Sequence, residues 1–136
     1  MINGVILSKL QMMDEMIEEL RSLNPIKISE LENEWMKRRA IERNLQVLCE
    51  IVVDICQRLI AISDKTPATT GAGAVDRCVK MGVLKSAEPY KKMIQFRNFI
   101  VHRYERVDPT ILVDIVNNRL SDFELFHTEV MEYVSN

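Results

Sequence analysis

Seven apolar residues, Ile41, Leu45, Leu48, Val52, Ile55, Leu59 and Ile62, recur in alternating steps of four and three along the middle of the chain. An α-helical turn takes about 3.6 residues, so this rhythm keeps all seven on one stripe and excludes a strand, whose faces alternate every second residue. Ser29 followed by Glu32 has capping-box spacing, which predicts one helix over residues 29–62, roughly 50 Å long. Such a helix spans a small domain and needs antiparallel neighbours of similar reach. The expected fold class is therefore all-α, an antiparallel bundle of four to five helices.

The rest of the chain reads the same way. Ile6, Leu10, Met13, Ile17 and Leu20 predict a helix over about 3–23, closed by Pro25. "SDKTPATTGAGA" (63–74) is expected to be a flexible connection, because its glycines are neither preceded by a strand nor followed by the Gly-Lys-Ser/Thr of a phosphate loop. A short helix near 75–81 ends at Gly82 and another starts near Pro89. Asp108-Pro109 then supplies an N-cap and a first-turn proline for a last helix to about 134, with the stripe Leu112, Val116, Phe123, Phe126 and Val130. The 136 residues fit one domain, 1–136.

Charge narrows the function classes. Eighteen basic residues stand against 20 acidic ones, so no global field draws the chain to nucleic acid or membrane, and any anion site must be local. No run approaches the roughly 20 apolar residues of a membrane span, and the N-terminus does not read as a secretory leader, so the cytoplasm is expected. Cys49 and Cys56 lie too far apart along one helix to bridge, and with Cys78 they read as small buried hydrophobes. No cysteine–histidine spacing suggests a metal, and no cofactor is expected. Glu124 and His127 form a lone E-x-x-H, whereas a ferritin-like di-metal site needs two such motifs and two further glutamates. "KRR" (37–39) reads either as an extension of an RNA path or, more simply, as a solvated helix face.

The chemistry concentrates in "RNFIVHRYERVD", residues 97–108. On a helical projection of residues 89–104, Met93, Phe96 and Ile100 define one side and Tyr90, Ile94, Phe99 and Val101 widen it. The remaining polar stripe is Lys91, Gln95, Asn98 and His102. One neighbour cannot cover so wide an apolar surface, which predicts burial on two sides, by the chain's own bundle and by a second copy. Asn98, one turn before His102, can bond the imidazole and set its tautomer. Arg97 projects from the apolar flank, where a guanidinium needs a carboxylate or phosphate; Glu42, Glu50 and Asp54 are the carboxylates in reach, with Glu42 and Asp54 candidate supports. Arg97 and His102 are about 140° and 7.5 Å apart on a regular helix, so they converge only at a helix end or across a two-fold axis.

Arg97-Asn98, then Phe-Ile-Val, then His102-Arg103-Tyr104 matches the R-x4-H-x-Y signature of the HEPN superfamily. With "AIERNLQVLCEIVVDI", the "MGVL" turn and "VDP", the chain resembles HepT-like toxins of HEPN/MNT toxin–antitoxin systems. The 63–78 stretch departs from that pattern. The resemblance implies an all-α homodimer and a metal-independent ribonuclease with Arg97, Asn98 and His102 catalytic. It also implies an MNT-type nucleotidyltransferase antitoxin as partner, attaching AMP to Tyr104. Arg103, Arg106 and Lys91 are the RNA-binding candidates. The alternative is an inactive HEPN bundle serving as a nucleotide-binding or protein-docking module.

Overall fold

The computed structural model describes residues 3–63, 65–103 and 107–136, without the side chains of His102 and Arg103. Among the described residues the architecture is an all-helical bundle, as expected. Helix α1 (Gly4–Arg21) starts where the Asn3 side chain accepts from the Val5 and Ile6 N–H groups at 2.9 and 3.2 Å. Its stripe Ile6, Leu10, Met13, Ile17 and Leu20 is fully buried. No described helix is long and apolar enough to cross a membrane.

The long second helix is in fact two. Helix α2 (Ile28–Asn33) ends at Glu34, whose φ −117° and ψ 83° leave the helical region, and α3 (Trp35–Ile62) starts anew. The apolar rhythm explains the difference, because it begins only at Ile41 and nothing apolar holds residues 33–36 in register. Trp35 and Met36 are 58% and 68% exposed. Ser29 does not cap; the Glu30 carboxylate accepts from the Lys27 N–H at 3.2 Å and from Lys37 Nζ at 2.8 Å. Beyond Ile41 the rhythm holds. Its first six residues are buried, and Ile62 is 53% exposed because α3 ends on it. Within "KRR", Arg38 is buried beside Glu42, so only part of that run solvates a face.

The connection after α3 is shorter and more constrained than a flexible loop. Helix α4 (Gly71–Lys80) starts inside "TTGAGA", capped by Thr70 Oγ1, which accepts from the Gly73 N–H at 2.9 Å. A Cβ on Gly71 would stand 3.2 Å from Val53 Cγ2 and 3.4 Å from Ile94 Cγ2, so this glycine lets the helix start press between α3 and the later helix that carries Ile94. The preceding loop is clasped by the Gln57 side chain, which donates to the Ala68 carbonyl at 2.8 Å and accepts from its N–H at 2.9 Å. The Arg77 guanidinium donates to the Thr66 carbonyl.

Helix α5 (Glu88–Arg103) carries the motif. Its start is pinned by Tyr90, which is fully buried, meets Phe126 edge-on at 5.3 Å and donates its hydroxyl to the buried Glu129 carboxylate. Glu129 also accepts the Lys85 N–H at 2.6 Å. Burial, reinforced by Glu129, pushes the Tyr90 phenol well above its ordinary range. The last helical stretch starts as expected, with Asp108 accepting from the Thr110 N–H at 2.9 Å and Pro109 in the first turn. It is not continuous: α6 (Pro109–Asp114) passes through a π-turn (Ile115–Arg119) into α7 (Leu120–Ser135). Leu112, Val116 and Leu120 are buried at successive steps of four, which outrun an α-turn by about 80° over two turns, and the wider π-turn takes up that drift.

Helix α3 is the centre of the bundle, packed by α1, α2, α4 and α5, while α7 closes against α1 and α5. The three cysteines are buried and free. Cys78 Sγ donates to the Cys56 carbonyl at 3.6 Å.

Candidate active site

Helices α3 and α5 run antiparallel, which brings Ile94 to the level of Val53 and Arg97 to the level of Glu50. There the Arg97 guanidinium is oriented by its neighbours. Its Nη2 and Nε donate to Glu50 Oε2 at 3.1 and 3.4 Å, and its Nη1 donates to Asn98 Oδ1 at 3.3 Å. Of five guanidinium N–H groups these contacts engage three, so among the described residues two remain for a ligand. Both Arg97 and Glu50 keep about a third of their side-chain surface, 33% and 32%, so the pair is neither sealed in the core nor loose in solvent.

Arg97, Asn98 and Glu50 line one side of a cavity of about 500 Å³ whose other walls come from α1, the start of α4 and the rest of α3. Its floor is aliphatic, with Val47, Ile51, Val53 and Ile94, and its rim adds Lys9, Arg43 and Asp54. The Asn98 amide accepts from Arg97 through Oδ1, which leaves its NH2 as a donor toward the same space. An anion with several acceptor oxygens would find donors on one wall and apolar contact beneath.

Among the described residues Glu42 and Asp54 make no direct contact with Arg97. Glu42 lies two turns before Glu50 and faces Arg38 at 3.5 Å, and Asp54 lies one turn beyond, turned to α1, with Lys9 at 3.5 Å. Glu50, at the level of Arg97 across the antiparallel pair, is the carboxylate that meets it. Lys91 is engaged as well, paired with Asp76 of α4 at 2.8 Å. His102 and Arg103 belong to the last turn of α5, but their side chains lie outside the described residues, as do Tyr104 and Arg106. The expected contact between Asn98 and the imidazole lies outside them too. Arg43 and Lys9, absent from the sequence-based candidates, line the cavity. Arg43 stands two turns before Glu50 on the same face, a relation that becomes visible only once Glu50 is known to meet Arg97.

Glu124 and His127 take part in helix packing. Arg21 of α1 pairs with Glu124, and His127 Nε2 lies 3.0 Å from Asp14. No group of three potential metal ligands occurs among the described residues. An apolar cavity of about 240 Å³, with Cys49, Met93, Phe96 and Phe123 on its walls, opens on the opposite flank of α5. Burial, followed by the Glu50 charge, pushes the Cys49 thiol up to about 12.

Residues 13–130 match the model of the family described as ribonuclease HepT-like. The mRNA nuclease HepT of Shewanella oneidensis is 24% identical over 130 residues, 92% of this chain and 95% of that protein. Among solved structures, the tri-AMPylated Shewanella oneidensis HEPN toxin in complex with MNT antitoxin superposes with a TM-score of 0.85 at 21% identity, covering 96% of this chain and 98% of that one. A toxin–antitoxin complex with AMP-PNP superposes at 0.82, with 21% identity over 95% of this chain and 98% of that one.

Proposed function

This chain belongs to the ribonuclease HepT-like family, and from that premise we propose that it is the toxin of a toxin–antitoxin pair, a metal-independent endoribonuclease working in a cleft between two copies. The observation that carries the reading is the Arg97 guanidinium, held by Glu50 and Asn98 at the wall of a cavity with two of its N–H groups uncommitted among the described residues. Orienting the cation in advance lowers the cost of positioning it on a phosphate.

RNA carries its own nucleophile. In the proposed reaction His102 of one copy removes the 2′-hydroxyl proton, the 2′-oxygen forms a bond to phosphorus and the bond to the 5′-oxygen breaks. The leaving oxygen takes a proton from an imidazolium, supplied by the second copy or by the same ring. Arg97 stabilises the charge that develops on the non-bridging oxygens, with the Asn98 amide beside it. The products are a 2′,3′-cyclic phosphate and a 5′-hydroxyl. An R-x4-H motif spans about 140° of regular helix, and a symmetric pair is one arrangement that brings an arginine and a histidine onto one phosphate.

The partner is an MNT-type nucleotidyltransferase antitoxin that attaches AMP to Tyr104. Added phosphate beside a phosphate-binding cleft repels RNA by the forces that would otherwise attract it. The AMP groups and the antitoxin in the solved Shewanella complex belong to that protein and support the reading here by family membership. The test is incubation of the purified protein with total RNA in excess chelator, wild type beside His102→Ala. Cleavage to cyclic-phosphate ends by the wild type alone is expected, and loss of wild-type cleavage in chelator overturns the mechanism.

A further inference from the structure

Glu50 already neutralises Arg97, and Asp54 stands against Lys9, so the charge that draws a polyanion toward the motif must come from elsewhere. Two arginines of α3 answer that need. Arg43 and Arg58 are both exposed, and neither has an ion-pair partner among the described residues. Arg43 lines the cavity that holds Arg97. Arg58 lines a second cavity of about 500 Å³ together with Lys9, Asp54, Gln57 and Ala61. The two cavities share Lys9 and Asp54, so they form one furrow along the seam where α1 packs on α3.

We propose that this furrow is the path of a single RNA strand leading to the scissile phosphate at Arg97, with Arg43 and Arg58 gripping backbone phosphates to either side of the Lys9–Asp54 pair. The inference rests on the ribonuclease reading and adds the binding track to it. From Arg43 to Arg58 along α3 is roughly 22 Å, the reach of a few nucleotides. Four cations, Lys9, Arg43, Arg58 and Arg97, face two carboxylates, Glu50 and Asp54, so the furrow is net positive within an acidic chain. The Lys9–Asp54 contact is long at 3.5 Å and its carboxylate is half exposed, the kind of surface pair that contributes little to stability, so Lys9 is able to turn to a phosphate. The aliphatic floor of Val47, Ile51 and Ile94 offers no base-edge donors, which makes the grip on the strand independent of sequence. The two arginines lie on one helix at the two ends of the furrow, which suits the single backbone of one strand rather than the two backbones of a duplex.

The experiment measures binding of a labelled single-stranded oligoribonucleotide to the His102→Ala protein across a salt series, beside cleavage by proteins that keep His102. Arg43→Ala and Arg58→Ala should each weaken binding several-fold and flatten the slope of log K against log salt by about 0.7, the value for one lost single-strand phosphate contact. In cleavage both raise KM and leave kcat near wild type, and Arg58→Lys restores most of the slope. Lys80→Ala removes an exposed cation outside the furrow and leaves the slope unchanged. If the wild type cuts RNA in chelator while both arginine variants keep the wild-type slope and KM, or if duplex RNA competes as well as single strands, the path is wrong and the ribonuclease reading stands. A wild type that neither binds nor cuts RNA overturns both.

Discussion

The Arg97–Glu50 contact rests on a single carboxylate oxygen, and that geometry sets what a substitution there should do. Glu50→Gln keeps the shape and removes the charge, so the guanidinium loses its strongest orienting partner, a hydrogen bond to a charged group of about 1.5–3 kcal/mol. As a positioning residue, Glu50 should then show a kcat lowered on the order of tenfold, an unaltered or lower KM, and a melting temperature close to wild type. A fall in melting temperature that accounts for the whole activity loss would make Glu50 merely structural. Arg97→Lys should fare no better than Arg97→Ala, since an ammonium cannot bond Glu50, Asn98 and a phosphate from one planar fork. Cys49, one residue before Glu50, gives a pH signature of its own. Its thiol, pushed up to about 12 in the folded chain, holds its proton more tightly than an exposed thiol near 9, so its contribution to stability is complete below about 9 and is lost as pH rises toward 12. Alkylation of the native protein at neutral pH should leave Cys49 unmodified and should label it after unfolding, as measured by mass spectrometry. At this scale sequence reasoning reached the right type of partner for Arg97 but named Glu42 and Asp54 as its supports, whereas Glu50 makes the contact. All three lie on one helix, and only the level at which α5 crosses α3 selects one.

Where sequence reading of the elements succeeded, an apolar stripe or a cap residue was the cause. The stripe of α1, the centre of α3 and the Asp108-Pro109 start all follow from local rules. The break at Glu34, the early start of α4 and the π-turn do not, because each is decided by what packs against the element. The π-turn illustrates this. It presents Asn117 to the α1–α2 connection, where the amide accepts the Ile26 N–H at 3.0 Å and donates to the Ile26 carbonyl at 2.9 Å. That is the two-point pairing a strand would make, supplied by one side chain 91 residues away. Asn117→Ala leaves both backbone groups without a protein partner and should cost about 1–3 kcal/mol, seen as a lower denaturation midpoint with an unchanged m-value. Tyr90→Phe acts through the same logic at the start of α5, stranding one oxygen of the buried Glu129, and should destabilise by about 1.5–3 kcal/mol. Because Tyr90 fixes the rotation of the motif helix, that variant should lose activity in excess of its loss of folded population. Equal losses would mean that the rotation of α5 is set elsewhere.

Across the whole molecule the burial of α5 changes along its length. Tyr90, Met93 and Ile94 are buried by this chain alone, whereas Phe96, Phe99, Ile100 and Val101, nearer the motif, are only partly buried. An apolar helix end beside a polar motif leaves surface for another protein molecule, and on the proposed two-copy reading that molecule is a second copy of this chain. Association and catalysis should therefore fail together. Val101 suits the test because it is partly buried without belonging to the core cluster, so a charge there disturbs an intermolecular contact more than the fold. Val101→Asp should turn a dimer into a monomer in sedimentation velocity at micromolar concentration, abolish RNA cleavage and leave the thermal midpoint of the protomer near that of Val101→Thr, which keeps the shape. Mixing two inactive proteins, Arg97→Ala and His102→Ala, adds a check independent of affinity. If each phosphate takes its arginine from one copy and its histidine from the other, the mixed dimer recovers one functional site and part of the activity, which neither variant has alone. A monomeric Val101→Asp that cuts RNA at the wild-type rate would mean that one chain holds the whole reaction, and the two-copy cleft would have to be abandoned.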